Sequence, residues 1–420
     1  MVKRYSNSSV FTAALICIIL FYSGLIKPYN KNKFISALPA SSINQISGQL
    51  VASPAKCSDG VYYSSKFKLN SVKGKGGIKG SASGIVQVYI PVEAVEAFFP
   101  GKLYSSAVRI GAFLWEAGGL YCTKGRFDKE GSRFYITECT HSEFSRTLYG
   151  RFDYIRALCR LQFKRLMYSW GTAGGLLLAL LCGAKEYTSS EISLSFRNAG
   201  LSHILALSGM HLSMFSGIAM FFGKKIGRKK LSFIIRIIAL ILFVWFAGFS
   251  PSLLRAFICS MLLIIAALAN VKQPDMLIIL AFSFLCQIII SPQDLYSSGF
   301  ILSYSALAGI LLTNKFFRRL YIRIFPSYIA SSLGSSTGAQ IFTAPISLKL
   351  FGSFSPIGVI ATTIVSPVIT IFIYSGLALI ILSLIIPILS VPSAFFMNLQ
   401  YTIIKYLVDF FSKAFIWRIN

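Results

Sequence analysis

The sequence predicts a polytopic α-helical membrane protein with a small β-barrel domain near its N-terminus, held outside the cytoplasm. Three observations carry this. Of 420 residues, 55% are hydrophobic and the mean hydropathy is +0.67, more apolar surface than a soluble domain can bury. Residues 43–145 depart from that character, with short alternating runs and Gly-rich turns. The net charge of +27 is unevenly spread: residues 151–420 hold 23 Lys/Arg and only 6 Asp/Glu, against 18 and 8 in residues 1–150. Basic loops on the cytoplasmic face explain most of the later charges. The excess in the soluble part points instead to a polyanion as partner.

In chain order, Val10–Ile26 is an apolar run behind Lys3 and Arg4, read as a retained signal-anchor within residues 1–27. Between residues 43 and 145, INQISGQLVAS, YYSSKFKLNSV, SGIVQVYIPV, SSAVRIGAFL and RFYITECT have the β-branched and aromatic content of strands. Five short strands suit a small barrel of OB-like type, although periodicity alone also allows a sandwich. The loop KGKGGIKG, Lys73–Gly80, reads as a solvated hairpin turn, with a phosphate-contacting loop as the sharper alternative. Cys122 and Cys139 are a possible disulfide in an oxidising compartment, whereas the other cysteines have no metal-ligand spacing.

Residues 148–168 read as an interfacial amphipathic helix. Phe152, Ile155, Cys159, Phe163 and Leu166 fall on one face and Arg156, Arg160 and Lys164 on another, the basic side meeting lipid phosphate. Residues 170–420 then form the helical membrane domain. Trp170–Ala184 is too short to span with confidence and reads as a half-helix. Spans are expected near 198–222, 231–250, 252–270, 275–290, 297–313 and 328–345. A stretch at 356–386 is interrupted by Pro367 and Pro387, and an amphipathic segment at 392–416 completes six to nine crossings. With residues 43–145 outside, the basic groups Lys224–Lys230, Lys272 and Lys315–Arg323 all fall inside.

The span Phe196–Gly223 carries two of the three histidines, His203 and His211, around a Ser208-Gly209 pair expected to bend the helix. From Ile192 to Pro274 there is no Asp or Glu. A pure anchor has no use for such polar groups, because each must find an internal partner in hydrocarbon.

Arg197–Ser213, RNAGLSHILALSGMHLS, resembles the signature run of ComEC-type competence proteins, the membrane channels of natural transformation. Gly248–Met261 with Arg255, Ser291–Ile310 and Ala339–Val368 resemble further blocks in the family's order. The resemblance implies an extracytoplasmic OB-type domain at 43–145 and passage of single-stranded DNA through a helical bundle in the bacterial cytoplasmic membrane. Two departures stand out. The hydrolase domain of many members, with its HxHxDH cluster, has no counterpart in these 420 residues, and Thr362 or Thr363 replaces the usual Asn before the last Pro. Partners implied are single-stranded DNA, membrane lipid, an outside DNA receptor, a cytoplasmic ATP-driven helicase, a separate nuclease and further copies of the chain.

A single strand needs donors, positive charge and base-tolerant surfaces along its path. Candidates are Arg197, His203, Ser208, Gly209, His211, Arg255, Tyr304 and Gln340, with Gln287 and Ser303 nearby. Each has a plainer role: the histidines bridging helices, Arg255 snorkelling, Ser208-Gly209 permitting close approach. No enzymatic activity, metal or cofactor is expected. His203 and His211 would stand roughly 12 Å apart on a continuous helix. Ser208 with a histidine base is a weak protease reading because no G-x-S-x-G surrounds it, and no G-x-x-x-x-G-K-[ST] loop binds nucleotide. A secondary transporter of a small anion is the main rival, since broken helices and buried cations suit it as well.

Overall fold

The computed structural model describes residues 9–23, 34–57, 59–97, 99, 113–128, 130–184, 187–207, 209–225, 229–414 and 417–418. Lys3, Arg4, Arg228, Ser208 and most of the expected strand SSAVRIGAFL lie outside them. The chain divides into a sheet-bearing unit, residues 30–190 and 375–401, and a helical unit, residues 1–29, 191–374 and 402–420.

The helical unit begins with α1 (Ser9–Tyr22). The sheet-bearing unit contains β1 (Ile35–Ser36), β2 (Ile43–Leu50), β3 (Ala55–Lys56), β4 (Tyr62–Gly74), β5 (Lys79–Ser83), β6 (Ile85–Pro91), the short α2 (Val92–Glu96), β7 (Gly119–Phe127) and β8 (Arg133–Phe144). Its pairings are antiparallel except β6 with β8. Alternation places Tyr63, Phe67 and Leu69 of β4, Val86, Val88 and Ile90 of β6, and Phe134 and Ile136 of β8 in one core with Ile46, Leu50, Trp115 and Tyr121. Strand β4 has 13 residues and pairs with β2, β3, β5 and β6, so the sheet coils round this strand. It does not close as a plain barrel in which each strand has two neighbours. Lys73–Gly80 is the β4–β5 turn, closed by Gly74 N–H on the Ile78 carbonyl at 2.8 Å with Gly76 and Gly77 at positive φ.

The Cys122–Cys139 disulfide is not formed; both cysteines are free. The register gives the reason. Cys139 pairs with Thr123, which is buried, while Cys122 pairs with Ser47 on the opposite face and accepts a hydrogen bond from Gln45 Nε2 at 2.9 Å. Neighbouring strand residues point to opposite sides. Burial pushes the Cys139 thiol up to about 12.

Helix α3 (Leu148–Ser169) is N-capped by the Thr147 hydroxyl, and its burial cuts across the two faces read from the sequence. Its basic face is buried against protein: Arg160 and Lys164 reach the carboxylate of Glu116 at 3.3 and 3.0 Å, and Arg156 donates to the Ala117 carbonyl at 2.8 Å. The glutamate side chain is 2% exposed. Of the apolar residues expected on one face, Phe152, Ile155 and Cys159 are exposed, whereas Phe163 and Leu166 are buried beside Arg160 and Lys164. A carboxylate left in the loop after residue 112 decides the orientation, because a buried charge must be paired. Next, α4 (Gly171–Cys182) has 12 residues and is almost wholly buried. The Asn398 side chain accepts from Thr172 Oγ1 and the Ala173 N–H, satisfying the free donors of its first turn.

The helical unit continues with α5 (Ser190–Asn198), α6 (Ser202–Leu205), α7 (Gly209–Lys225), α8 (Lys229–Ala247), α9 (Pro251–Leu268), α10 (Met276–Ile290), α11 (Ser298–Tyr321), α12 (Ser327–Phe351), β9 (Ser353–Phe354), α13 (Gly358–Ile385), α14 (Ser390–Ser412) and β10 (Trp417–Arg418), the last pairing with β9. Residues 375–385 of α13 and 390–401 of α14 belong to the sheet-bearing unit. Among the described residues, three helices, α9, α11 and α13, are long and apolar enough to cross a membrane. Five shorter apolar helices, among them α1 and α10, fall below that length. Helix α13 runs through Pro367 and ends before Pro387, so only the second proline is a stop. α1 packs on α10 and α11 through Ala14, Leu280, Phe284 and Phe300, a bundle member rather than a lone anchor. α11 and α12 form a hairpin in which a Cβ on Gly309 would strike the Gly338 carbonyl and one on Gly334 would meet Asn314 Oδ1 at 2.7 Å.

Burial by itself would raise the Glu116 carboxyl, but Lys164 and Arg160 beside it outweigh that and hold it at about 2, below an ordinary 4.5. A depressed folded pKa contributes stability that is complete above 4.5 and is lost as pH falls towards 2, in total about 3 kcal/mol. Acid titration followed by Trp115 fluorescence is expected to place the unfolding of the sheet-bearing unit in that window. Glu116→Ala should cost about 3–5 kcal/mol in denaturant unfolding, since two cations lose their partner. Maleimide tagging in denaturant without reductant should modify both Cys122 and Cys139.

Candidate functional site

The stretch with both histidines is not one bent span. It is broken twice. Gly200, at φ +72°, ends α5: its N–H bonds the Arg197 carbonyl at 3.1 Å and Leu201 N–H reaches back to Phe196 at 2.8 Å. This is the glycine-terminated helix end that left-handed backbone allows. One turn of α6 follows, then extended Ala206, and α7 begins at Gly209. The sequence carried the signal in Asn198-Ala199-Gly200-Leu201, and reading the run as a single apolar span passed over it.

The break is held by two contact sets. Gly200 lies against the start of α13: a Cβ there would stand 3.0 Å from Gly358 Cα and 3.0 Å from the Ser355 carbonyl oxygen. A Cβ on Gly358 would strike Gln340 Nε2 of α12, with the Gly200 carbonyl at 3.2 Å. Three separate segments, among them the two that resemble the first and last family blocks, thus meet at two glycines. On the other side, Ser252 of α9 donates to the Leu207 carbonyl at 2.7 Å.

One turn along α9 stands Arg255. Its Nη1 donates to the Ser303 carbonyl at 2.8 Å, and its guanidinium lies over the Tyr304 ring at 6.0 Å. Its Nη2 would be 3.3 Å from a Cβ on Gly209, which places the cation beside the N-terminal end of α7. Its Nε is buried without a hydrogen-bond partner, and among the described residues no ion pair includes it. A helix start carries positive partial charge, so an arginine there adds to that charge. The two together favour an anion.

The other candidates separate into exposed and internal groups. His203 is exposed on α6, and its ring hydrogen-bonds the Gly200 carbonyl. His211 is fully buried in α7, so the two histidines do not share a surface. Arg197 is exposed in the last turn of α5. Tyr304 is engaged: its hydroxyl donates to Gln287 Oε1 at 3.0 Å and meets Ser283 Oγ at 3.3 Å. Gln287 in turn donates to the Pro251 carbonyl and Asp294 Oδ2, at 3.0 and 3.1 Å. This network fixes α9, α10 and α11 against each other and presents Arg255. Thr363 accepts from Ser332 at 3.3 Å and donates to the Val359 carbonyl at 3.0 Å. A second cation on an apolar helix, Arg236 of α8, donates to Ser216 of α7. It hides in the sequence within an unbroken apolar run.

The chain matches the model of the Competence protein family over residues 180–419. It is 27% identical over 204 residues to ComE operon protein 3 of Bacillus subtilis (strain 168), an alignment covering 48% of this chain and 25% of the length of that relative. It is 25% identical over 308 residues to an uncharacterized protein of Aquifex aeolicus (strain VF5), covering 70% of each. No solved structure matches. The matched region takes in the broken helix, Arg255, Tyr304 and Gln340 together, and the chain belongs to the competence protein family.

Proposed function

We propose that this chain forms a path for single-stranded DNA across the bacterial cytoplasmic membrane during transformation. The observation that carries the reading is Arg255, a cation with no ion-pair partner among the described residues, held at the start of α7 by a Ser303 carbonyl and an aromatic ring. Each nucleotide brings one phosphate charge past that point. An anion met by one arginine and one helix start is held loosely enough to move on. Exposed His203 and Arg197 supply further donors near the same break, and Gln340 sets the two glycines that keep it open.

In this reading the coiled sheet serves as an OB-like domain on the outer side. Basic loops then lie inside. The chain works as a channel component, not an enzyme. An outside receptor delivers DNA, a cytoplasmic ATP-driven helicase pulls it, and a separate nuclease removes the second strand.

Uptake of labelled DNA into transformable cells tests this. Arg255→Gln should lower the rate about 10- to 100-fold, the worth of one charge-assisted contact. Arg255→Lys should fall between, because an ammonium cannot span both the Ser303 carbonyl and the α7 start. Gly358→Ala should abolish uptake by forcing Gln340 and Gly200 apart. A deletion strain importing DNA at the normal rate would sink the proposal. Small-anion flux in proteoliposomes that single strands do not block would put a transporter in its place.

A further inference from the structure

We propose that the cleft between the start of α9 and the end of α10 seats the headgroup of a zwitterionic aminophospholipid, with Asp294 taking its ammonium. The inference rests on the membrane placement of α9 in the reading above and not on DNA as cargo.

The cleft has a volume of about 310 Å³. Its walls are Phe249, Pro251, Leu254 and Ile290, and its polar groups are Ser250, Ser291 and Asp294. Asp294 is half-buried in the turn Pro292–Tyr296 that follows α10. Between Ile192 and Tyr374 the sequence holds two acids, Asp275 and Asp294, one beyond either end of α10. Asp275 has an ordinary use: it caps the first turn, accepting from Leu277 N at 3.0 Å. Asp294 lies past the other end, where a helix already carries negative partial charge. Gln287 Nε2, a neutral donor, takes its Oδ2 at 3.1 Å, and among the described residues no ion pair includes it. The start of α9 does not quench it either. Pro251 has no N–H, and that of Leu253 is taken by Ser250 Oγ at 3.3 Å. A carboxylate that keeps its charge in an apolar cleft calls for a cation.

The surroundings specify which one. Helix α9 has 18 residues, a rise of roughly 27 Å, so in a bilayer its start stands where hydrocarbon gives way to headgroups. Phe249, Ile289 and Ile290 are exposed around the cleft, and Phe282, seven residues back from Ile289, extends the exposed line along α10. These residues give acyl chains a track leading away from the carboxylate. Ser250 Oγ accepts from Leu253 N and keeps its own proton to donate, and the Ser291 hydroxyl lines the same cleft. Both stand beside a helix start, which favours a phosphate. A carboxylate, two hydroxyls at a helix start and an apolar track match the ammonium, phosphate and chains of one molecule. An inorganic cation has no use for the track, and Asp294 repels a nucleic-acid strand.

Native mass spectrometry of the full chain in detergent, offered equal phosphatidylethanolamine and phosphatidylglycerol with the same acyl chains, tests this. The unaltered chain is expected to retain the ethanolamine lipid about 10-fold more strongly, the worth of one charge-assisted contact. Asp294→Asn keeps an acceptor for Gln287 but no charge, and should bring that lipid down to the level of the glycerol lipid. Ser291→Phe fills the cleft with Asp294 in place and should lower retention likewise. Equal retention of the two lipids by the unaltered chain overturns the site, as does an unchanged preference in either variant with its helical circular dichroism intact. Displacement of the ethanolamine lipid by magnesium at constant ionic strength would mark a bare-cation site and overturns it too. Arg255→Gln separates the two readings: it should leave the lipid preference unaltered while lowering uptake. A preference that depends on Asp294, without any Arg255 effect on uptake, would sink the DNA path alone, and the reverse result the lipid site alone.

Discussion

A charge removed from water must be matched by another, or its exposure to some outside partner must be maintained by the fold. Both outcomes occur in this chain. Glu116 is matched: Arg160 and Lys164 close on it, and helix α3 turns its basic side inward to make the contact. Arg255 is not matched. It has one backbone acceptor, one ring and a helix start of its own sign. The first pair welds α3 to the sheet, and Arg255 has no ion-pair partner among the described residues.

The contacts around Arg255 fix its position. Ser252 ties α9 to Leu207, and Gly200 and Gly358 touch backbone to backbone under Gln340. Tyr304, Gln287, Ser283 and Asp294 form a buried polar network. None of these contacts neutralises Arg255; they fix where it stands. Asp294 is the acid in this network, and Gln287 occupies it. A buried network of this kind is stable only when every member has a partner, so its positions tolerate little change.

Much of this was legible in the chain. The apolar content, the alternating strands of 43–145 and the ordered motifs gave the class and the family. The absence of acids from Ile192 to Pro274 marked where a cation would stay unpaired. Less legible was anything that needs two distant segments at once. Helical periodicity marked α3 as amphipathic but did not say which residues would meet protein, because Glu116 lies more than thirty residues before that helix's midpoint. Spacing made Cys122 and Cys139 look joinable, whereas the strand register sets them on opposite faces.

By itself the sequence determined composition-level facts: a membrane protein of the competence family, with a β-rich segment and a polar, glycine-bearing stretch at Arg197–Ser213. These follow from local chemistry, since hydropathy and propensity are properties of neighbouring residues. The tertiary structure alone decided that this stretch is broken at Gly200 and again before Gly209. It also buried His211 while exposing His203, and engaged Tyr304 while leaving Arg255 unpaired. Those outcomes depend on which carbonyls, glycines and charges other segments bring within about 3 Å, the range over which a hydrogen bond or a steric contact acts.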